Sequence, residues 1–142
     1  MSDRLVRTAC AMGLVACVSC INSQEPVVDT SGLPKIGVEF QLTEDDICLR
    51  GSRSPEIGLT SLPTGVVSYV MRMTDLDAPR YRHWNETITS QGSTVPAGKA
   101  TSYAGPGCPP NGHRYRISVL AKDAQQQPIA YGEKTIVPAR AR

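Results

Sequence analysis

The sequence predicts an all-β domain with little helix, and three observations carry that prediction. The chain of 142 residues holds 12 glycines and 11 prolines, the turn chemistry of a backbone that reverses often. Val66-Val67-Ser68-Tyr69-Val70-Met71-Arg72-Met73 is rich in β-branched and aromatic residues and opens from the turn-forming Pro63-Thr64-Gly65. Tyr115, Ile117 and Val119 alternate with Arg114, Arg116 and Ser118, so one face of that segment is apolar and the other polar. No segment carries a long amphipathic helical period. With 40% apolar and 20% charged residues, the length suits one domain with a packed core. A formal net charge of +2 is too small to point to nucleic acid.

Residues 1–20 do not read as part of the fold. Arg4 and Arg7 form a basic start, and residues 8–19 are apolar or small. That run is shorter than the roughly 20 apolar residues needed to cross a bilayer, and it fits a secretory signal. Leu14-Val15-Ala16-Cys17 resembles a bacterial lipobox, in which Cys17 becomes the lipidated first residue; Cys20 is the alternative. A plain cleaved signal ending near Ser19 or Ser23 is the competing reading. Residues 21–35 are polar, with Pro26, Gly32 and Pro34, and read as a tether. The folded domain is expected over residues 36–142.

Within it, residues 37–42 alternate loosely and predict the first strand. Thr43-Glu44-Asp45-Asp46 is an acidic turn, and Ile47-Cys48-Leu49 predicts a short strand. A further short strand is expected near Ile57 and Leu59, before a turn over residues 62–65. Residues 66–74 form the central strand, with apolar residues on both faces as though both were covered. Residues 75–84 read as a loop, 86–89 as a weak strand and 91–101 as a surface loop. Residues 114–120 are a strand, 121–128 a polar connection and 129–137 the last strand.

Two polar stretches carry the chemistry. Thr74-Asp75-Leu76-Asp77-Ala78-Pro79 follows the central strand, and Tyr81, His83 and Trp84 come next. If the chain stays extended, Asp75 and Asp77 face one side. Pro79 fixes its own φ and keeps Ala78 out of the helical region. Downstream lies Gly105-Pro106-Gly107-Cys108-Pro109-Pro110-Asn111-Gly112-His113-Arg114-Tyr115. The two stretches are expected to meet in a small polar pocket. Two nearby carboxylates repel when both are ionised, so they call for compensating groups. His83, His113, Arg114 and the N–H groups of the glycine-rich loop can supply them. A carboxylate-bonded imidazolium beside loop amides makes a small anion site. Each residue also has a plainer role: Asp75 and Asp77 as turn caps, the histidines as structural hydrogen-bonders, Trp84 as core, Tyr115 as core or pocket wall.

The ordered series Ser54-Pro55-Glu56-Ile57, Leu62-Pro63-Thr64-Gly65, Ser68-Tyr69, Asp75-Leu76-Asp77-Ala78-Pro79, His83-Trp84, Gly105-Pro106, Pro109-Pro110 and Gly112-His113-Arg114-Tyr115 resembles the phosphatidylethanolamine-binding protein family. It is most similar to the bacterial Raf-kinase-inhibitor-like branch, from about Phe40 to the C-terminus. The resemblance implies an antiparallel β-sandwich and a pocket for phosphate-like anions, without a cofactor. It implies ligand-binding roles for Asp75, Asp77, Pro79, Tyr81, His83, Gly105, Pro109, His113 and Tyr115. Leu76 stands where the family motif has a proline, Cys108 is added between the two proline motifs, and the helical insertion usual after Lys122-Asp123 is replaced by a short Gln-rich link. The fold is thus a trimmed one, with a shallower or more open pocket.

Four functional expectations follow. The first reading is non-enzymatic binding of a small anion or phospholipid head group, in a domain anchored at the bacterial cell envelope. The alternative is a protein-interaction module that inhibits a protease or kinase. A hydrolase is disfavoured, because no Ser or Cys sits in a nucleophile elbow. No CxxC or His-rich spacing suggests a metal site. Cys48 and Cys108 remain in the domain, and the sequence leaves open whether they form a disulfide or stay separate thiols.

Overall fold

A computed structural model of the chain describes residues 27–43, 46–48, 53–108 and 112–138. The expected signal segment with Cys17 and Cys20, and the predicted ligand residue Pro109, lie outside the described residues. The chain folds as two antiparallel sheets. One has the order β1-β2-β5, built from β1 (Gly37–Glu39), β2 (Ile57–Thr60) and β5 (Thr94–Val95). The other has the order β4-β3-β6-β7, from β3 (Ser68–Asp75), β4 (Arg82–Thr89), β6 (Tyr115–Lys122) and β7 (Pro128–Ile136).

The inward faces form one core. Ile36, Val38, Phe40, Ile57, Leu59 and Val95 come from the smaller sheet and its flanks. Tyr69, Met71, Met73, Trp84, Ile88, Tyr115, Ile117 and Val119 come from the larger one. Strand β6 shows the expected alternation, with Tyr115, Ile117, Val119 and Ala121 all buried. The sheets adjoin where the chain enters the fold. Tyr131 N–H donates to Pro34 O at 3.0 Å and Ile36 N–H to Tyr131 O at 3.0 Å. The stretch read as a tether is therefore attached to β7 from Pro34 onward. Gly132 lets this happen, since a Cβ there would run into the Ile36 carbonyl oxygen and come within 2.8 Å of its Cγ1.

Four expectations change. The central strand is covered on one face only: Tyr69, Met71 and Met73 are buried, while Arg72 is exposed and Val70 half-buried. Thr94–Val95 adds a short strand inside the expected surface loop, paired with β2. Ile47 and Cys48 stand in no strand, and Leu49, the end of the strand expected there, lies outside the described residues; Asp46 N–H donates to Thr43 O at 3.0 Å. Finally, His83 and Trp84 belong to a strand rather than to a loop, and this change shapes the site. Met73 pairs with Trp84 but Thr74 pairs with Arg82, so His83 is the extra residue of a β-bulge. The bulge breaks the alternation, and His83 and Trp84 both point inward as neighbours.

Candidate functional site

The register between β3 and β6 assembles the site. Asp75 is the last residue of β3 and lies opposite Tyr115, the first of β6. Beyond that pair the two chains stay together, because Leu76 N–H donates to Arg114 O at 2.9 Å. His113 and Arg114 thus run alongside the aspartate motif. Gly112 makes this turn with φ of 66°, a conformation glycine adopts without steric cost. From the other flank, the β4 bulge delivers His83. Ala104 N–H donates to His83 O at 2.6 Å and brings the glycine-proline segment alongside.

Asp75 is the hub, with 3% of its surface exposed. Its Oδ1 accepts from the N–H groups of Asp77 and Ala78, each at 2.9 Å, so the strand end is capped by its own last side chain. Its Oδ2 accepts from Nδ1 of His113 at 2.6 Å. Nε2 of His83 lies 3.8 Å from the same oxygen, within electrostatic reach but beyond a hydrogen bond. Burial pushes the Asp75 carboxyl upward, but the His113 bond and the two backbone donors outweigh it and hold it below the usual range.

Asp75 and Asp77 do not share a face, contrary to the extended-chain expectation. The chain turns after Asp75, and Asp77 is exposed at the rim. Its Oδ2 accepts from Arg114 N–H at 2.8 Å and its Oδ1 from the guanidinium Nη2 at 2.7 Å. The Arg114 guanidinium and backbone hold the Asp77 carboxyl down at about 2. Asp77 therefore clamps the 112–114 segment to the strand end. The two carboxylates are held apart, each with its own hydrogen-bond partner, His113 for Asp75 and Arg114 for Asp77.

His83 is 2% exposed, and its ring is held from several sides. Nδ1 faces the carbonyls of Ala104 at 2.9 Å and Gly105 at 3.2 Å, so this nitrogen carries the proton and donates. The loop thus presents carbonyl acceptors to His83 where amide donors were expected. Nε2 is buried with no hydrogen-bond partner. Tyr115 meets the His83 ring edge-on at 5.4 Å between centroids, and Tyr81, 58% exposed, lies over it at 4.6 Å. Tyr115 is a buried core residue whose ring also lies 6.4 Å from that of His113. Burial first, then the nearby Asp75 and Asp77 charges, push its hydroxyl up to about 12. Trp84 packs in the core against Tyr103, with centroids 5.8 Å apart.

Of the residues named from sequence, Asp75, His83, His113, Tyr115, Tyr81 and Gly105 converge here. Asp77 stands at the rim, and Pro79 is exposed on the turn that follows. One contributor was not anticipated, Ala104, whose backbone brackets His83; Arg114, expected as a compensating group, pairs with Asp77. Cys48 and Cys108 form a disulfide, with Cα atoms 4.7 Å apart. Among the described residues, no group of three or more His, Cys, Asp or Glu could hold a metal ion. A separate cleft of about 530 Å³ lies against the smaller sheet, lined by Glu39, Asp46, Arg53 and Glu56 among others, and shares no residue with this site.

Comparison with known proteins agrees with the fold. A structure described as Escherichia coli YbcL, a new member of the mammalian PEBP family, superposes with a TM-score of 0.55. The identity is 19%, and the match covers 76% of this chain and 98% of that one. No curated protein sequence matches the chain. The family model for phosphatidylethanolamine-binding protein matches residues 23–139. With that model spanning most of the sequence and the two-sheet architecture shared, the chain belongs to the phosphatidylethanolamine-binding protein family.

Proposed function

We propose that the chain is a non-enzymatic binding module for a small oxyanion, either free or as the phosphate of a phospholipid head group. The observation that carries this reading is the convergence of two imidazoles on one carboxylate oxygen, at 2.6 and 3.8 Å. The Nδ1 atoms of both rings are committed, one to Asp75 and one to backbone carbonyls. These bonds leave the Nε2 atoms as the ring positions that would face an anion in this reading, and that of His83 is buried without a partner. The membership of the chain in its family supports the same class of ligand. Hydrogen bonds of both rings to a carboxylate and to carbonyls, rather than to a hydroxyl or thiol, favour binding over nucleophilic chemistry.

The proposal includes export and anchoring at a bacterial cell envelope through Cys17 or Cys20. A disulfide between Cys48 and Cys108 is the kind of bond that persists outside the reducing cytosol. A second reading, a protein-interaction module inhibiting a protease or kinase, is favoured by exposed Tyr81 and Val137 beside the site. Inhibition assays against protease and kinase panels test it.

The experiment for the first reading is an NMR titration with inorganic phosphate and with phosphoethanolamine. Saturable shifts of the His83 and His113 ring signals are expected. Rings that do not respond to either compound overturn the reading.

A further inference from the structure

The disulfide and the site meet in one loop. Ala104 and Gly105 hold the His83 ring through their carbonyls. Pro106, next in the chain, is fully buried, and its carbonyl accepts from Cys48 N–H at 3.2 Å. Cys108 is then bonded covalently to Cys48. The loop thus has three fixtures in sequence, at His83, in the core and at Cys48. Both cysteines lie at the surface, where a reductant can reach them. Cys48 has φ of 68°, a left-handed conformation that a residue with a Cβ keeps only while its surroundings impose it.

We propose that the Cys48–Cys108 disulfide is a positioning element of the site and makes its anion affinity redox-dependent. This rests on the anion-binding reading above. The opening step is thiol–disulfide exchange with a dithiol reductant. One thiolate of the dithiol attacks a sulfur of the bond, the S–S bond breaks, and the other cysteine leaves as a thiolate. The second thiolate of the dithiol closes its own disulfide and expels the remaining cysteine. Two electrons pass from the dithiol to the cysteine pair, and the two protons it gives up end on the two cysteine thiols. Cys48 then relaxes from its left-handed backbone, the loop loses its outer fixture, and the two carbonyls no longer hold the His83 ring in one orientation.

The test uses the full chain with inorganic phosphate as probe. The oxidised protein, the same protein treated with a dithiol, and the Cys48→Ala/Cys108→Ala variant are titrated by NMR at His83 and His113. Opening the bridge is expected to weaken phosphate binding roughly five- to tenfold, the order of one lost neutral hydrogen bond. Without any ligand, the Ala104 amide, which donates to His83 O, is expected to lose protection from hydrogen exchange while amides of β3 and β6 keep theirs. Should the double variant not fold, the dithiol-treated chain decides alone. An unchanged affinity or an unchanged Ala104 amide overturns the redox proposal and leaves the anion reading standing. Loss of protection throughout β3 and β6 overturns it too, since the bridge would then hold the whole fold. An oxidised protein that ignores phosphate overturns both.

Discussion

Asp75 and His113, 38 positions apart, are joined by a 2.6 Å hydrogen bond from Nδ1 to Oδ2, and the same carboxylate caps the turn that carries Asp77. One buried side chain therefore orients the His113 imidazole and closes the strand end. Asp75→Asn is expected to lower unfolding stability by about 2 kcal/mol, as for loss of charge-assisted hydrogen bonds at a buried site. Urea denaturation measures this as a lower midpoint at an unchanged slope. In the same variant the His113 ring signal should respond more weakly to phosphate. A midpoint equal to that of the parent would show that the pair contributes nothing to the fold.

Acid sensitivity follows from the carboxylates. Glu86 accepts from Thr101 N–H and Oγ1–H, from Ser102 N–H and Oγ–H, and from Nε1–H of Trp84. Burial raises its pKa, but these bonds outweigh burial and hold it at about 2, against an ordinary 4.5. Its folded pKa lies below its unfolded one, so the unfolded chain binds more protons in between. The contribution is complete above about 4.5 and fades as pH falls toward 2. Asp77, at about 2, and the lowered Asp75 act in the same direction. The denaturation midpoint should fall steadily through that window, and Glu86→Gln should flatten the fall while lowering stability at neutral pH. Parallel curves for the two proteins would remove Glu86 as the cause.

The junction between the sheets depends on Gly132. A methyl group there meets the Ile36 carbonyl, and Val38 Cγ2 lies 3.0 Å away. Gly132→Ala is expected to cost about 1–3 kcal/mol, the range for overpacking, because β1 must back away from β7. Thermal unfolding measures it. Amide exchange should locate the loss at Ile36 and Tyr131. Parent-like protection at both residues would contradict the account.

Envelope anchoring has its own test in cells. Cys17→Ser is expected to abolish incorporation of a labelled fatty acid. Labelling that persists moves the acylated residue to Cys20, and absence of label from the parent chain ends the lipoprotein proposal.

Much of this molecule was legible residue by residue. The all-β class, strand β3 and strand β6 could be read because β-branched content and a two-residue period are properties of adjacent positions. The ordered motifs also pointed to the family and to both histidines. What stayed hidden depends on partners far along the chain. That His83 is the extra residue of a bulge follows from how β4 registers against β3, which places it and Trp84 side by side in the interior. Asp75 and Asp77 separate because one is buried against His113 and the other is drawn out by Arg114, partners 38 and 37 positions away. Cys48 and Cys108 pair across 60 residues, a distance over which spacing says nothing about approach. Local stereochemistry decides which segments are strands. Only the packing of one strand end against another decides which polar atoms lie within 3 Å of each other, and the chemistry of this site rests on those distances.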